Sequence, residues 1–278
     1  MPAAASAKEE STAGIRAQLR GLSAVMVAKN AAATIEAALS SVTFCSELIV
    51  VIDDDSSDAT ESISRRLGVH VEIRPWRGYG PSKQDAVALA TGQWILSIDS
   101  DEIVSPELAS SIAGVLSRDD PRYAAYALRR RTRYLGRWLR HGDWGRDRVV
   151  RLFRRDVAQF SGDQVHESVV ASGEKPLLTG WLWHEGDQTV ESYLARLNRY
   201  TTLAADSLHA SGHRAGWWSL IIRPAFKFIQ AYILRAGFLD GWQGLVLAWF
   251  SSVYVFTKYA KLLRLNRESG GATAPNRS

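Results

Sequence analysis

The chain has 278 residues and a mass of 30.8 kDa, with 46% apolar and 23% charged side chains. That mix can bury one large α/β domain plus an appendage, and it excludes a disordered, collagen-like or coiled-coil protein. A single cysteine, Cys45, excludes an internal disulfide and a cysteine-based zinc site, and fits a reducing compartment. The formal charge of +5 is uneven: residues 1–128 are net −6, residues 129–155 carry eleven arginines against Asp143 and Asp147, and residues 156–278 are net +2. An acidic half followed by an arginine block points to an anionic ligand met at one place. Taken singly, each arginine reads equally well as a surface ion pair. Without a zinc-finger spacing or an RNP-like motif, no nucleic-acid partner is expected.

Residues 1–20 lack an apolar run of signal-peptide length and read as a solvated arm. Leu22–Val27 is a short apolar strand ending at Lys29-Asn30, and Thr34 is placed to cap a helix bearing Ile35, Ala38 and Leu39. Leu48–Ile52 has a central-strand composition and runs into Asp53–Asp58, ahead of a helix with Ile63 and Leu67. A third strand is expected at Val69–Ile73, a helix from Pro81 to Ala90, and a fourth strand at Trp94–Ile98, closing on Asp99–Glu102. Ser105-Pro106 opens another helix. This alternation predicts a mostly parallel, helix-covered sheet with its ligand at the carboxyl ends of the strands. No glycine-rich dinucleotide or P-loop motif follows any strand, so phosphates must be met another way.

Asp99 and Asp101 flank Ser100 just past an apolar strand. Two carboxylates at this spacing can face one hard cation, Mg2+ or Mn2+, which neutralises a departing diphosphate. The same spacing also suits a pair of turn aspartates. Val25-x-Val-x-Lys-Asn30, Val50–Thr60, Gly80-x-Ser-Lys83 and Leu96–Glu102 together resemble the family 2 glycosyltransferases of the GT-A fold. Tyr134–Trp138, Arg151–Arg154, Val165-His-Glu167, Trp183-His184 and Phe238–Gly241 resemble the lipopolysaccharide-core β-glucosyltransferase branch of that family.

The resemblance covers roughly residues 20–265 and implies a metal-dependent, inverting transfer from a UDP-sugar. It places Ala28, Asn30 and Asp53 at the uridine end. Lys83, Asp99 and Ser100 fall with the rest of the donor, and Asp99, Asp101 and His184 around the metal. Family enzymes usually have a small residue at the position of Asp55, so the extra acids beside Asp53 are expected to face solvent. Glu167 is implied as general base with His166 orienting it, and Asp163 is the alternative base. Arg151, Arg154 and Trp144 are expected on the acceptor side, where arginine forks suit phosphate and carboxylate.

Val190–Ser211 has the pattern of one helix. Two later apolar stretches, Trp217–Leu234 and Gly244–Thr257, are too broken or too short to span a bilayer. Residues 217–264 hold six basic side chains against Asp240 alone, with four tryptophans, which fits an interfacial anchor on an anionic leaflet and fits equally a helical cap or dimer face. The expected organisation is an arm (1–20), a nucleotide-sugar half (21–120), an acceptor half (121–189), a helical region (190–265) and a loose tail (266–278). The expected protein is a cytoplasmic, membrane-peripheral α/β GT-A enzyme with a C-terminal helical extension. It passes a hexose, glucose first, from a UDP-sugar to a lipid-linked saccharide. The alternatives are a polyprenyl-phosphate sugar transferase or a non-catalytic membrane-surface or nucleic-acid-binding protein.

Overall fold

The computed structural model describes residues 19–160, 168–185 and 189–271. Their contacts divide into two compact units, one within Met1–Arg131 and Asp147–Gly186, the other within Thr132–Arg146 and Asp187–Ser278. Both contain parts of what the sequence suggests is a single acceptor half.

The first unit is built on a sheet whose first strands, β1 (Leu22–Ala28), β2 (Glu47–Asp53), β3 (His70–Arg74) and β4 (Trp94–Ser97), run parallel. Val25 lies opposite Ile49 on one side and Ser97 on the other. Every residue of β1 is buried, which is why it reads as a continuous apolar run. Its side chains alternate between layers: Ala24 and Met26 join the core under Ile35, Leu108 and Ile112, while Val25 and Val27 join Ala86, Val87 and Phe153 on the opposite face.

The crossovers are helices α1 (Ile35–Ser40), α2 (Thr60–Arg66) and α3 (Tyr79–Leu89), as parallel neighbours require. Thr34 sits at the N-cap of α1 without accepting from it; its hydroxyl turns back to the Ala31 carbonyl at 3.4 Å. Ser105 does cap α4 (Pro106–Arg118), accepting from Leu108 N at 3.2 Å, and the same oxygen accepts from Trp181 N at 3.1 Å. Here the chain turns at Gly180, φ +99°, where a Cβ would lie 2.3 Å from Leu108 N. Only glycine allows that approach.

The remaining strands join antiparallel. They are β5 (Glu102–Val104), β6 (Ala125–Tyr134) with its short partner β7 (Arg137–Trp138), β8 (Arg148–Arg154) and β11 (Leu182–His184), while β9 (Gln159–Phe160) and β10 (Val169–Val170) pair separately. Strand β8 lies between β4 and β6, and β11 pairs with β5, His184 opposite Glu102. The resulting order is β3-β2-β1-β4-β8-β6-β11-β5. Insertion of β8 beside β4 brings the arginine block next to the loop that follows β4.

In the second unit, Leu135 and Gly136 both adopt positive φ and turn the end of β6 into β7. Thr189 caps α5 (Val190–Ala210), and α6 (Trp217–Ile229) leads through short π and 3-10 turns, Gln230–Leu234 and Gly237–Asp240, into α7 (Gly241–Gly271). Its core is small: Tyr134, Leu139 and Leu247, with Tyr193 stacked on Phe250 at 4.7 Å. This packing explains why residues 132–146 group with the C-terminal helices. No described helix is long and apolar enough to cross a membrane.

Candidate active site

The loops after β1, β2 and β4 gather at one end of the parallel strands. After β1, Asn30 takes a left-handed conformation, φ 48°. Its backbone N–H donates to Ser56 Oγ at 3.0 Å, and its side-chain oxygen accepts from Ser57 N at 2.9 Å. Asp58 accepts from Ala32 N at 2.9 Å, completing the stitching of the first two loops.

Asp53, at the end of β2, is buried, as is Ala28 at the end of β1. The Lys29 ammonium lies 2.8 Å from Asp53 Oδ2, and Asp55 N donates to Asp53 Oδ1 at 3.0 Å. The hydrogen bond from Lys29 outweighs burial and holds the Asp53 carboxyl below its ordinary range. Asp54 and Asp55 face solvent, as expected. Carboxylate oxygens of the three aspartates lie within 4.8 Å of one another, but Lys29 already offsets this charge.

The loop after β4 is built on a denser arrangement. Lys83, projecting from α3, is 3% exposed and places its ammonium 2.8 Å from Asp99 Oδ1. Arg151 of β8, also buried, ion-pairs with the other Asp99 oxygen and with Glu102 Oε1 at 3.0 Å. Glu102 is fully buried. It accepts from Asp99 N at 2.9 Å and from Arg130 at 3.0 Å, and Arg130 also reaches Asp147 at 2.7 Å. Three cations thus face three carboxylates, the balance that burial of so much charge demands. Burial alone would push Asp99 up; Arg151 and then Lys83 outweigh it and hold the carboxyl well below the usual range. Burial would lower Arg151, but the Asp99 and Glu102 carboxylates outweigh it and raise the guanidinium.

Asp101 has a different environment. His184 Nε2 lies 3.1 Å from its Oδ2, and its backbone carbonyl accepts from Glu185 N at 2.9 Å. The side chains are 28% and 15% exposed, and among the described residues no lysine or arginine pairs with Asp101. A carboxylate oxygen from the turn before β5 and an imidazole nitrogen from β11, both half-buried, are a donor set that suits a divalent cation. Asp99 has the right position, but Lys83 and Arg151 occupy its oxygens.

Ala28, Asn30 and Asp53 therefore form one cluster, and Lys83, Asp99, Asp101, His184 and Arg151 another, with Ser100 half-buried between the two aspartates. Arg151, expected to meet an acceptor, turns inward because Asp99 and Glu102 need its charge. Arg154 lies at the opposite end of β4, opposite Trp94. It stacks over that ring at 4.7 Å and pairs with Asp119 at 2.7 Å. Trp144 belongs to the second unit, packed edge-on against Tyr134 at 5.6 Å. Asp163, His166 and Glu167 lie outside the described residues.

Sequence reading missed Glu102, Arg130 and Asp147 as parts of the network. The signal for Glu102 is a third acid in a strand whose neighbours are apolar. It also missed Arg131, whose guanidinium lies 3.7 Å from the Trp181 ring centroid.

Residues 23–172 match the family model described as glycosyl transferase family 2. The chain belongs to this family. Among relatives of this family 2 glycosyltransferase, an uncharacterized glycosyltransferase of Rickettsia typhi is 28% identical, covering 90% of this chain and 88% of its own. The lipopolysaccharide core biosynthesis glycosyltransferase LpsC of Rhizobium meliloti is also 28% identical, over 87% and 91%. Among solved structures, glucosyl-3-phosphoglycerate synthase from Mycobacterium tuberculosis, in complex with Mn2+, UDP and glucosyl-3-phosphoglycerate, is 19% identical. It covers 72% of this chain and 84% of that one, with a TM-score of 0.48. The S. aureus TarS 1–349 complex with UDP-GlcNAc is 16% identical over 89% and 92%, with a TM-score of 0.41.

Proposed function

We propose that this family 2 glycosyltransferase moves a hexose, glucose first, from a UDP-sugar to a lipid-linked saccharide of the lipopolysaccharide inner-core type, inverting the anomeric centre. The setting is the anionic cytoplasmic face of a membrane. The acceptor class rests on the likeness to LpsC. The observation that carries the chemistry is the half-buried Asp101–His184 pair, 3.1 Å apart, in which Asp101 has no lysine or arginine partner among the described residues, beside Asp99, whose oxygens are held by buried Lys83 and Arg151.

In this reading Asp53 and Asn30 hold the uracil and Ala28 lines its slot. Lys83, Asp99 and Ser100 hold the ribose-diphosphate end. Asp101 and His184, with Asp99 adjoining, would hold Mn2+ or Mg2+, which when bound offsets charge on the leaving diphosphate. Arg151 acts as a positioning residue: by clamping Asp99 to Glu102 it fixes the loop that carries Asp101. Glu167, with His166 beside it, takes the proton of the acceptor hydroxyl as that oxygen bonds to the anomeric carbon and the bond to UDP breaks. Arg154 and Trp144 are retained as acceptor contacts only by the family resemblance.

The test is a donor panel with the purified full chain, Mn2+ and truncated core acceptors, read by product mass and anomeric configuration. A β-linked hexose product is expected, and Glu167→Gln should keep UDP binding while losing transfer. An α-linked product, or near-normal turnover in Glu167→Gln, overturns the mechanism; transfer to polyprenyl phosphate instead reassigns the acceptor.

A further inference from the structure

Of the twenty-one large apolar side chains exposed among the described residues, fourteen lie between residues 217 and 256. That concentration exceeds what scattered surface hydrophobics need and marks an interaction face. Trp217 is 69% exposed, Trp218 79% and Trp249 60%. Trp218, Ile222, Phe226, Ile229 and Ile233 recur at spacings of three and four, one stripe down α6 and into the π turn. A second stripe on α7 begins with Trp242, Leu245 and Trp249. Ring contacts join the two helices and the turn after α6: Phe228 meets Trp249 at 5.9 Å and Tyr232 at 5.5 Å, and Tyr232 meets Phe238 at 6.3 Å.

The charge on this region is net positive, although Lys227 and Arg235 are paired with Asp143. Residues 217–264 hold six lysines and arginines, and the single acid, Asp240, is buried. Asp240 is also spent internally: it accepts from the backbone N–H of Arg140 at 2.9 Å and of His141 at 2.7 Å, and faces His141 Nδ1 at 3.1 Å. It also lines a cleft of about 500 Å³, together with Arg137, Trp138, Arg140, His141 and Leu239. Leu239 is also one of the exposed apolar set, so the cleft borders the apolar face. Arg137 gives one N–H to the Leu239 carbonyl at 3.1 Å, and no described carboxylate pairs with either guanidinium.

We propose that this face inserts into one leaflet of an anionic bilayer, with Arg137 and Arg140 receiving a lipid phosphate in the cleft at its edge. Tryptophans on an amphipathic helix bordered by arginine and lysine, with no spanning length, suit the boundary between headgroups and acyl chains. A second copy fits poorly, because a two-fold contact would set basic rim against basic rim. The inference deepens the membrane part of the proposed function by naming the surface and the headgroup site.

Flotation with the full chain tests it, using phosphatidylcholine vesicles with and without phosphatidylglycerol, alongside UDP binding and Tm. The wild type should bind the anionic vesicles. Trp218→Ser with Ile222→Ser should lower partition by at least about tenfold, since both side chains are more than half exposed and free to enter the leaflet. Arg137→Gln with Arg140→Gln should lower it about tenfold, and only on anionic vesicles. UDP binding should be unchanged in both, and Tm unchanged in the serine pair and only slightly lowered in the glutamine pair, which loses the Arg137 bond to the Leu239 carbonyl.

Undiminished flotation of the serine pair overturns the apolar face, and undiminished flotation of the glutamine pair overturns the headgroup site. A wild type that ignores vesicles but elutes as a dimer, converted to monomer by the serine pair, assigns the face to a second copy. Retained UDP binding in those outcomes leaves the transferase reading standing. Loss of UDP binding by every form, with vesicle binding responding as expected, removes the transferase reading alone.

Discussion

Replacing Arg151 by methionine removes the guanidinium from the middle of the site and keeps an unbranched apolar stem of similar length. In the wild type this group is buried between Asp99 and Glu102. Without it, fully buried Glu102 retains Arg130 at 3.0 Å, and Asp99 retains Lys83 at 2.8 Å. One unit pair with charge centres about 4 Å apart is worth ~4 kcal/mol at an effective dielectric near 20, and breaking a buried pair from one side costs ~3–5 kcal/mol. Because each carboxylate keeps a second cation, the lower end applies, a loss of ~3 kcal/mol at pH 7 in urea unfolding followed by tryptophan fluorescence.

The pH dependence adds a second readout. Asp99 is held well below the usual carboxylate range, so its contribution is present above the unfolded value of about 4 and fades as pH falls toward the folded one. Arg151→Met weakens that depression, so wild type and variant should converge on acidification. A variant within ~0.5 kcal/mol of wild type at pH 7, or a gap that stays constant down to pH 3, would falsify the account of Asp99 and Glu102 as a clamp.

His184→Ala should reduce Mn2+ affinity in the presence of UDP by at least about tenfold, measured by paramagnetic titration; an unchanged affinity removes His184 from the metal site. Gly180→Ala forces a Cβ to 2.3 Å from Leu108 N at φ +99°, so a loss of ~3 kcal/mol is expected from overpacking and backbone strain together. Gly68→Ala, at φ +70° with nothing within 4 Å, should cost only ~1 kcal/mol, and equal Tm losses would discredit the close-approach argument. Burial pushes the Tyr193 hydroxyl up to about 12. Its neutral form is favoured in the folded state, so stability should decline between pH 10 and 12 as the unfolded chain ionises first. Tyr193→Phe should flatten that alkaline decline; an unaltered profile would assign it to other groups.

The first hundred residues were legible because their signals are local. β1 and β2 are buried on both faces and read as apolar runs, the loops fall at strand ends, and Ser105-Pro106 marks α4. Asn30, Asp53, Lys83, Asp99 and Asp101, which lie in or beside the loops at those strand ends, could be singled out from those positions together with the family likeness. The chain beyond Arg118 was less legible, since placing β8 beside β4 depends on pairing across more than fifty residues. The arginine block pointed to an outside anion, yet Arg130 and Arg151 answer acids already inside the protein. Residues 132–146 carry no composition break that announces their packing with Tyr193, Leu247 and Phe250. Thr34 shows the limit of capping rules, because its hydroxyl donates to the Ala31 carbonyl and accepts from no helix N–H.

The late arrival of β8 bears on how the protein is made. Arg151 follows Glu102 by forty-nine residues, so a ribosome has threaded the four parallel strands well before the guanidinium that neutralises their acidic rim emerges. A nascent chain halted after α4 carries Asp99 and Glu102 with Lys83 as their one countercharge from this network, which leaves that rim self-repelling. Closure of the sheet and completion of the charge network around Asp99 and Glu102 then become a single late event in translation.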